Sequence, residues 1–406
     1  MSPRVQLSPE IPPASYALWT KEKRREDSCK SPGLRPIHGT VVRNTAGLFG
    51  RTHRPPRQAK AAATRIAMIG VAVIGAGQWG PNLIRNFHNK QTSAVVWIID
   101  RDATRLKEVH AHFPDVHVAT DAKQALRDSS VHAVVIASPT STHYALAKEA
   151  LEQRKPVLVE KPLTTEIKQG IELCELATKY ELILMVGHVF VYNPAVRKVK
   201  EYLDAGHLGT VNYMAMVRTN LGPIRVDVNA AWDLAAHDVS IANYWLNAEP
   251  FSASATGGSW TNQGIEDTVF ATLRYPKGVL VNLHASWLNP CKARSITVVG
   301  DRRMLTFDDM HLTEPVRIYD KTPSDVQVSS TYADSFASFH ASIRKGDVTV
   351  PKVAIGEPLA IQCAHFLECI ETGKKPFTSA REGIAVVRAL EAIQRSIRGG
   401  GREEQV

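Results

Sequence analysis

Residues 69–80 read IGVAVIGAGQWG, and this stretch decides the fold of the chain. A short run of β-branched and aliphatic residues ends in glycines, which is typical of a buried parallel strand followed by a tight turn. Gly75, Gly77 and Gly80 have the spacing G-x-G-x-x-G around Gln78 and Trp79, and helical periodicity follows. The pattern predicts a dinucleotide-binding turn whose backbone approaches a pyrophosphate at the N-terminus of a helix.

The next strand tests this interpretation because it should end in an acid that takes the ribose hydroxyls. The stretch SAVVWIID at 93–100 ends in Asp100, which lies 25 residues after Gly75. A carboxylate there repels the 2′-phosphate of NADP, so NAD is the favoured cofactor. Arg101 directly after it keeps NADP possible.

Further strands and helices alternate along the chain, which predicts a parallel, doubly wound α/β sheet. The apolar runs VHAVVIASPT, PVLVEKP and ELILMVGHVF are the strands, and THYALAKEALEQ is an amphipathic helix between the first two. Ligands of such sheets bind beyond the carboxyl ends of the strands. This places five residues at the cofactor, although Pro139 and Thr140 are equally interpreted as ordinary turn residues: Ser138, Pro139, Thr140, Glu160 and Lys161.

Lys161 stands out because an ammonium at the end of a buried strand loses hydration unless it is paired or has a task. Pro162 after it restricts the lysine to extended geometry and fixes where its side chain emerges. Glu160 is the alternative explanation, as a simple ion-pair partner.

A second polar pair occurs in the stretch NAAWDLAAHD at 229–238. Asp233 and His237 are four residues apart, so on a helix they share a face. Alone, this pattern is also compatible with an exposed helix pair.

Composition excludes several other classes of protein. The chain has 406 residues, 44% hydrophobic and 22% charged, which is enough for two globular domains. Its formal charge of +9 is confined to residues 1–67, which hold 13 basic and 4 acidic residues, so the remainder is neutral. A folded nucleic-acid-binding face is therefore not expected. No apolar run approaches the ~18 residues of a membrane span.

Residues 1–67 are rich in Pro and Arg and show no apolar periodicity. Three explanations are open: a disordered basic arm, a transit peptide, or an extension that results from a start codon assigned too early, with Met68 as the natural initiator. The five cysteines form no CxxC motif, which fits a reducing, cytoplasmic environment. No His, Asp or Glu cluster has the spacing of a metal site, and we expect none.

From about residue 68 to 398 the chain resembles the Gfo/Idh/MocA oxidoreductases. The resemblance rests on VAVIGAGQWG, SPTSTHYALAKEAL, VLVEKPL, DLAAHD and EPLAIQCAHFLECIETGKKPFTS, in that order. It implies a Rossmann domain at 68–190 and, at 191–398, an α/β domain with an open, mostly antiparallel sheet that binds substrate and pairs with other subunits. Residues 399–406 are a tail. A homodimer or homotetramer is implied.

The resemblance also implies that Lys161, Asp233 and His237 converge at the nicotinamide. Oxidation of a secondary alcohol needs a base with a pKa near neutrality, and His237 is the natural choice. Lys161 would stabilise the developing alkoxide or relay the proton, and the reverse assignment remains open. Asp233 would orient the substrate or His237.

The stretch from GHVFVYNPAV to WDLAAHD is similar to family members of polysaccharide synthesis that oxidise the 3-hydroxyl of UDP-N-acetylglucosamine or of its uronic acid. An inositol or free-sugar dehydrogenase is the enzymatic alternative, and a non-catalytic NAD-binding sensor is the alternative from another class. Besides Asp233 and His237, the predicted substrate contacts are Tyr192, Asn193, Arg218, Asn220, Arg225, Asn229 and Trp232.

Three further histidines lie in or beside apolar runs: His143, His188 and His365. We interpret them as packed core or interface groups rather than metal ligands. His143 is retained among the predicted neighbours of the cofactor, and His188 lies where the chain leaves the cofactor domain.

Overall fold

A computed structural model describes residues 68–88, 90–320 and 346–406. The basic extension at 1–67 lies outside the described residues. The described residues form two sheets, one of six strands and one of nine.

The six-stranded sheet is parallel throughout, with the strand order β3-β2-β1-β4-β5-β6. The strand order reverses between β1 and β4, and this switch point opens a crevice beyond their carboxyl ends. The strands are β1 Ile69–Ile74, β2 Ser93–Ile99, β3 His117–Ala119, β4 Ala133–Ile136, β5 Val157–Glu160 and β6 Leu184–Gly187. Every residue of β1 and β4 is buried, as the apolar runs predict.

Helices cover both faces of this sheet and complete the Rossmann fold. They are α1 Gly80–Phe87, α2 Ala103–His112, α3 Ala122–Arg127, α4 His143–Glu152 and α5 Ile167–Lys179. A short 3₁₀ turn at Thr140–Thr142 leads into α4. The predicted strands and helices of the cofactor half are therefore confirmed.

The nine-stranded sheet has the order β14-β13-β12-β11-β7-β10-β9-β8-β15. Its pairs are antiparallel except for β7 with β10, which confirms the predicted open, mostly antiparallel sheet. The strands are β7 Val211–Leu221, β8 Ser252–Gly258, β9 Thr268–Arg274, β10 Leu280–Ser286, β11 Leu288–Gly300, β12 Met304–Asp308, β13 Val316–Tyr319, β14 Val348–Thr349 and β15 Glu404–Gln405. The predicted C-terminal tail thus supplies the edge strand β15.

Among the described residues, the helices of this second half are α6 Pro194–Asp204, α7 Ala236–Leu246, α8 Pro358–Thr372 and α9 Ala380–Arg398. Helices α7 and α9 cover one face of the nine-stranded sheet, and α9 also contacts α5 and β6. Helix α9 therefore packs on elements of both halves. Helix α9 begins with a capping box of Ser379 and Glu382.

None of the helices in the described part of the chain is both long and apolar enough to cross a membrane.

Candidate active site

A cleft of about 1880 Å³ lies at the carboxyl ends of β1, β2, β4 and β5 and extends to the nine-stranded sheet. Its wall is drawn from both halves of the molecule. The predicted residues that line it are Gly75, Gly77, Gln78, Trp79, Asp100, Arg101, Ser138, Pro139, Thr140, Glu160, Lys161, Asn193, Arg225 and His237. The cleft exceeds the ~300–1,000 Å³ of ordinary ligand pockets, so it has room for a dinucleotide and a second sizeable ligand.

The glycine turn has the geometry that a pyrophosphate requires. Gly75 has φ +104°, and a Cβ there would meet the Ala137 carbonyl oxygen at 2.5 Å. A Cβ at Gly80 would meet the Gly75 carbonyl oxygen at 2.1 Å, so this glycine serves close packing and does not line the cleft. Gly77 faces open space, and no described side chain caps α1. The exposed backbone and the free helix N-terminus fit a dinucleotide.

Asp100 follows β2 and lines the cleft, as predicted. Its Oδ2 accepts the Ala76 backbone N–H at 2.8 Å, and its Oδ1 accepts the Asp102 N–H at 2.9 Å. Arg105 donates to both oxygens, at 3.3 and 3.5 Å. Arg105 is not among the residues predicted from the sequence, because it lies on α2 with no motif around it.

His143 does not contact the cleft, contrary to its prediction as a cofactor neighbour. It is 1% exposed, and its ring nitrogens lie 2.8 Å from the Pro162 carbonyl oxygen and 2.9 Å from that of Ser138. The imidazole therefore ties the turn after β4 to the turn that carries Lys161. Burial lowers the pKa of His143.

Glu160 lies at the floor of the cleft, at the end of β5. Its carboxylate accepts the Trp79 indole N–H at 2.9 Å and the Lys161 backbone N–H at 3.2 Å. A Cβ at Gly187 would lie 2.9 Å from this carboxylate, so the glycine makes room for it. Burial raises the pKa of Glu160 to about 7. Glu160 makes no side-chain ion pair with Lys161, so the simple ion-pair explanation of the EK dipeptide fails.

Lys161 instead reaches across to the second half of the molecule. Its Nζ donates to the Asp233 backbone carbonyl at 2.8 Å and to Asp233 Oδ1 at 3.1 Å. Arg225 donates to the same Oδ1 at 3.3 Å, and the Trp287 indole donates to Oδ2 at 3.1 Å. Burial raises the pKa of Asp233, but the charges of Lys161 and Arg225 outweigh this effect and leave it below its usual value. Asp233 therefore orients Lys161.

The alternative role of Asp233, orientation of His237, is not realised in the described structure. His237 Nδ1 is buried without a hydrogen-bond partner among the described residues. Its ring packs edge-on against Phe190, with 4.9 Å between centroids. Burial, followed by the charges of Lys161 and Arg218, lowers the pKa of His237 well below its usual value. The imidazole is therefore neutral at pH 7, and its pKa lies below the near-neutral value that we expected of the base.

His188 lies in the same region at the end of β6. It is 1% exposed, and neither ring nitrogen has a partner within the described chain. Burial, helped by the charge of Lys161, lowers its pKa to about 3. Its burial agrees with the interpretation of His188 as a packed group. The structure adds that this group lies near Lys161.

The helix that carries Asp233 and His237 is irregular where it meets Lys161. Residues Ala231–Ala235 form one turn of π-helix before α7, a feature that is frequent at functional sites. Asn229 begins this turn, because its Oδ1 accepts the Trp232 N–H at 3.1 Å. Its amide nitrogen donates to Glu266 and to Gln394. Asn229 is 6% exposed and does not line the cleft, so its predicted substrate contact is corrected to a helix-start role.

Arg218 is also corrected. It is 3% exposed and makes a bidentate ion pair with Asp238 of α7, with the shortest bond at 2.7 Å. Its guanidinium lies 4.3 Å from the centre of the Phe190 ring, and Arg294 lies 5.5 Å from the same ring. Arg218 therefore supports Phe190 and, through it, His237. Arg294 lines the cleft in its place.

The remaining predicted substrate residues are divided between the cleft and the interior. Asn193 lines the cleft and donates to Asp309 at 3.0 Å, and Asp309 also accepts from Arg294 at 3.0 Å. Tyr192 is fully buried against Thr378. Trp232 packs between the cores of both halves, and the amide of Asn220 lies against Gly222; neither lines the cleft. Direct contact of Tyr192, Trp232 and Asn220 with substrate is therefore withdrawn.

Several residues of the site could not be predicted from sequence patterns, because their partners are remote in the chain. Phe190, Trp287, Arg294 and Asp309 reach the site from four different segments. Only Phe190 lies in a stretch that resembles the family. The others occur in ordinary strand or loop sequence, where no spacing rule identifies them.

Two family models match the chain. Residues 69–188 match the model described as "Oxidoreductase family, NAD-binding Rossmann fold", and residues 196–306 match "GFO/IDH/MocA C-terminal domain". Together they cover more than half of the chain. The first assigns NAD as the cofactor of this fold, in agreement with the glycine turn and Asp100.

Relatives of known activity differ in their substrates. The chain is 29% identical over 220 residues to an inositol 2-dehydrogenase of Mycolicibacterium smegmatis, covering 52% of this chain and 64% of that protein. It is 30% identical over 251 residues to a UDP-N-acetylglucosamine 3-dehydrogenase of Acidithiobacillus ferrooxidans, covering 59% and 74%. The first match thus spans under two thirds of its relative.

A solved structure of the Acidithiobacillus ferrooxidans UDP-N-acetylglucosamine 3-dehydrogenase has the same fold. It superposes with a TM-score of 0.69 at 24% identity, over 82% of this chain and 99% of that one. The family models, the relatives and the two sheets agree, and the chain belongs to the Gfo/Idh/MocA oxidoreductase family.

Proposed function

We propose that the protein is an NAD(P)-dependent dehydrogenase that oxidises a secondary hydroxyl of a sugar nucleotide, with C3 of a UDP-N-acetylhexosamine or of its uronic acid as the best candidate. One observation carries the proposal: Lys161 of the cofactor half is bonded to Asp233 of the second half, and Lys161 and His237 line one cleft. Residues from both halves thus meet where a cofactor and a substrate would react.

The chemistry divides between two bonds of the carbinol. When bound, the nicotinamide accepts the hydride from carbon, so the two electrons of the C–H bond leave with the hydrogen. His237, neutral at pH 7, accepts the proton from oxygen. Lys161 donates a hydrogen bond to the same oxygen and stabilises its developing negative charge.

The other residues around Lys161 and His237 position these two groups. Asp233 holds Lys161, and Arg225 and Trp287 in turn hold the Asp233 carboxylate, so the ammonium is oriented before substrate arrives. Phe190 restricts the ring of His237. For the cofactor, the turn Gly75–Gly80 would hold the pyrophosphate and Asp100 the adenosine ribose. Residues Ser138–Thr140 and Glu160 would bound the nicotinamide half.

A sugar nucleotide is preferred over a free polyol for two reasons. The cleft, at about 1880 Å³, is larger than ordinary ligand pockets and extends beyond the cofactor half. Arg225 and Arg294 also stand in its wall, partly exposed, where planar guanidiniums suit a diphosphate or carboxylate. An inositol or free-sugar dehydrogenase is the second candidate, because the inositol 2-dehydrogenase relative has similar identity. Synthesis of a surface polysaccharide is the context we propose.

The test is cofactor reduction by the full chain, followed by NADH absorbance, with NAD or NADP. The substrate panel contains UDP-N-acetylhexosamines, their uronic acids, inositols and free sugars. We expect turnover of a UDP-sugar that is lost in Lys161→Ala and His237→Ala. Turnover of inositol alone would favour the second candidate. Cofactor binding without turnover of any panel member would favour a non-catalytic sensor and overturn the proposal.

The assembly and the domain division are further parts of the proposal. One face of the nine-stranded sheet carries Tyr213, Phe270 and Leu280, which are 45%, 48% and 39% exposed, and Phe270 stacks on His284. Exposed aromatic faces of this kind are typical of interfaces. We propose that a second copy covers this face, with residues 68–190 and 191–398 as the two domains. The cysteine pattern supports a cytoplasmic location.

Sedimentation analysis tests the assembly. The wild-type chain should sediment as a dimer or tetramer, and Phe270→Asp should reduce its size. A monomeric wild type would contradict the proposed face.

A further inference from the structure

We propose that Arg105 decides the choice between NAD and NADP, and that it enables this chain to bind both. The inference rests on the assignment of a nicotinamide dinucleotide to the cleft. It concerns only the end of the cleft that would hold the adenosine ribose and its 2′-position. The reacting groups Lys161 and His237 are not involved.

Asp100 is already saturated with hydrogen bonds from the protein. Its two oxygens accept the backbone N–H groups of Ala76 and Asp102, at 2.8 and 2.9 Å, and both also accept from Arg105. A carboxylate offers about four lone-pair sites, and these contacts occupy them. The hydroxyls of an NAD ribose can therefore reach Asp100 only by displacing Arg105.

The position of Arg105 also changes the electrostatics of this end. An acid at the end of β2 normally repels the 2′-phosphate of NADP, and a nearby arginine accommodates it. Here the Arg105 guanidinium neutralises the carboxylate, with its closest nitrogen 3.3 Å from Asp100 Oδ2. Together these two groups carry no net charge, so a 2′-phosphate meets less repulsion here than it would from Asp100 alone.

The exposure of Arg105 allows its side chain to move when either NAD or NADP binds. Its side chain is 45% exposed, whereas that of Asp100 is 11% exposed, so the arginine can leave and the acid cannot. Its Nη1 would lie 3.9 Å from a Cβ built at Gly77, which is within reach of the phosphate turn. Arg101 is exposed and lines the same end of the cleft. A 2′-phosphate would therefore meet two guanidiniums, and a ribose diol would meet Asp100 once Arg105 has moved.

The experiment measures affinities by titration calorimetry on the full chain, for NAD and NADP and for the fragments 5′-AMP and 2′,5′-ADP. The fragments report the 2′-position without the nicotinamide. Wild type should bind NAD and NADP within about tenfold of one another. Arg105→Ala should weaken NADP and 2′,5′-ADP by at least tenfold, since charge-assisted hydrogen bonds are lost. NAD and 5′-AMP should bind equally well or more tightly, because Asp100 is released.

The matched control is Lys107→Ala, which removes a charge from the same helix at an exposed position outside the cleft. It should leave the ratio of the NAD and NADP affinities unchanged. Asp100→Asn should shift the ratio towards NADP by about tenfold or more. These changes in ratio are not expected of a residue that only stabilises α2.

Two results would overturn the inference. Arg105→Ala could weaken all four ligands alike, which would make Arg105 a structural residue. Alternatively, the ratio of the NAD and NADP affinities could stay constant in Arg105→Ala. If wild type bound neither dinucleotide, the cofactor assignment and the proposed dehydrogenase would fail together with the inference. Normal cofactor binding without turnover of any sugar would overturn only the proposed function.

Discussion

The two sides of the cleft are built in different ways. The cofactor side consists of backbone turns at the ends of β1, β4 and β5, and its contacts come from glycines and from residues next to them in sequence. The substrate side consists of polar side chains whose partners are remote: Asn193 bonds Asp309, which lies 116 positions away, and Asn229 bonds Gln394, which lies 165 positions away. Local contacts can be inferred from spacing, and remote contacts cannot.

This difference explains which predicted residues occupy the cleft. On the cofactor side only Gly80 and His143 are absent from its wall. On the substrate side Tyr192, Arg218 and Asn229 are buried and already bonded. A polar residue near a site is often a support for the site, because a buried donor without a partner is costly.

The largest effect should come from the residue that joins the two sides. Lys161→Met removes the ammonium that binds Asp233, and we expect kcat to fall by about 10²–10⁴-fold, the usual contribution of a positioned proton-transfer or charge-stabilising group. NAD affinity should change little. The control is Lys168→Met on α5, an exposed lysine. If a folded Lys161→Met protein retained more than about a tenth of the wild-type kcat, Lys161 would not be the catalytic link between the two sides of the cleft.

The buried ion pair should dominate the stability of the substrate side. Arg218→Met leaves Asp238 charged and unpaired in the core, so the free energy of unfolding should fall by about 3–5 kcal/mol in urea titrations. The double variant Arg218→Met with Asp238→Leu should recover most of this loss, because no charge is left buried. An equal loss in the single and double variants would show that packing, rather than charge, sustains this side.

Acid should weaken the molecule through its buried histidines. The pKa values of His143, His188 and His237 are lowered in the folded state, so these groups bind protons only on unfolding as the pH falls below about 6.5. Stability is therefore full above pH 6.5 and declines below it, by up to about 1.4 kcal/mol per pH unit for each group.

The slope can be assigned with one variant. His188, with a pKa of about 3, should contribute about 1.5–2 kcal/mol of the loss between pH 6.5 and 5, and His188→Phe should remove that part of the slope. The exposed His112→Asn on α2 is the control and should leave the slope unchanged. Parallel curves for wild type and His188→Phe in urea titrations across pH would contradict the buried, neutral state of His188.

The smallest expected effects are those of two glycine substitutions in the same turn, one on stability and the other on NAD affinity. Gly75→Ala meets the Ala137 carbonyl oxygen and a φ of +104°, so it should cost about 1–3 kcal/mol of folding free energy. Gly77→Ala has open space, with its nearest neighbour 3.9 Å away, so stability should be kept while NAD affinity falls by about tenfold. Thermal unfolding and calorimetry check the pair. A loss of stability in Gly77→Ala would show that both glycines serve the fold.

Much of the fold was predictable because its determinants are local in the chain. The strand and turn at 69–80, the acid at 100 and the apolar runs that end at Ser138 and Glu160 are all short-range patterns. The open sheet was also predictable from alternation, although β15 at the C-terminus was not, because two residues carry no periodicity. Lys161 and His237 were identified by family resemblance and occupy the same cleft.

By itself, the sequence determined the doubly wound sheet, the glycine turn and the residue types that converge on the site. These follow from periodicity and from backbone geometry that only glycine adopts. The tertiary structure decided which polar side chains face the cleft and which support it. It bonded Lys161 to Asp233, buried Arg218 on Asp238 and set Arg105 on Asp100. Hydrogen bonds and ion pairs act over a few ångströms in space, and sequence spacing contains no information about neighbours brought together only by folding.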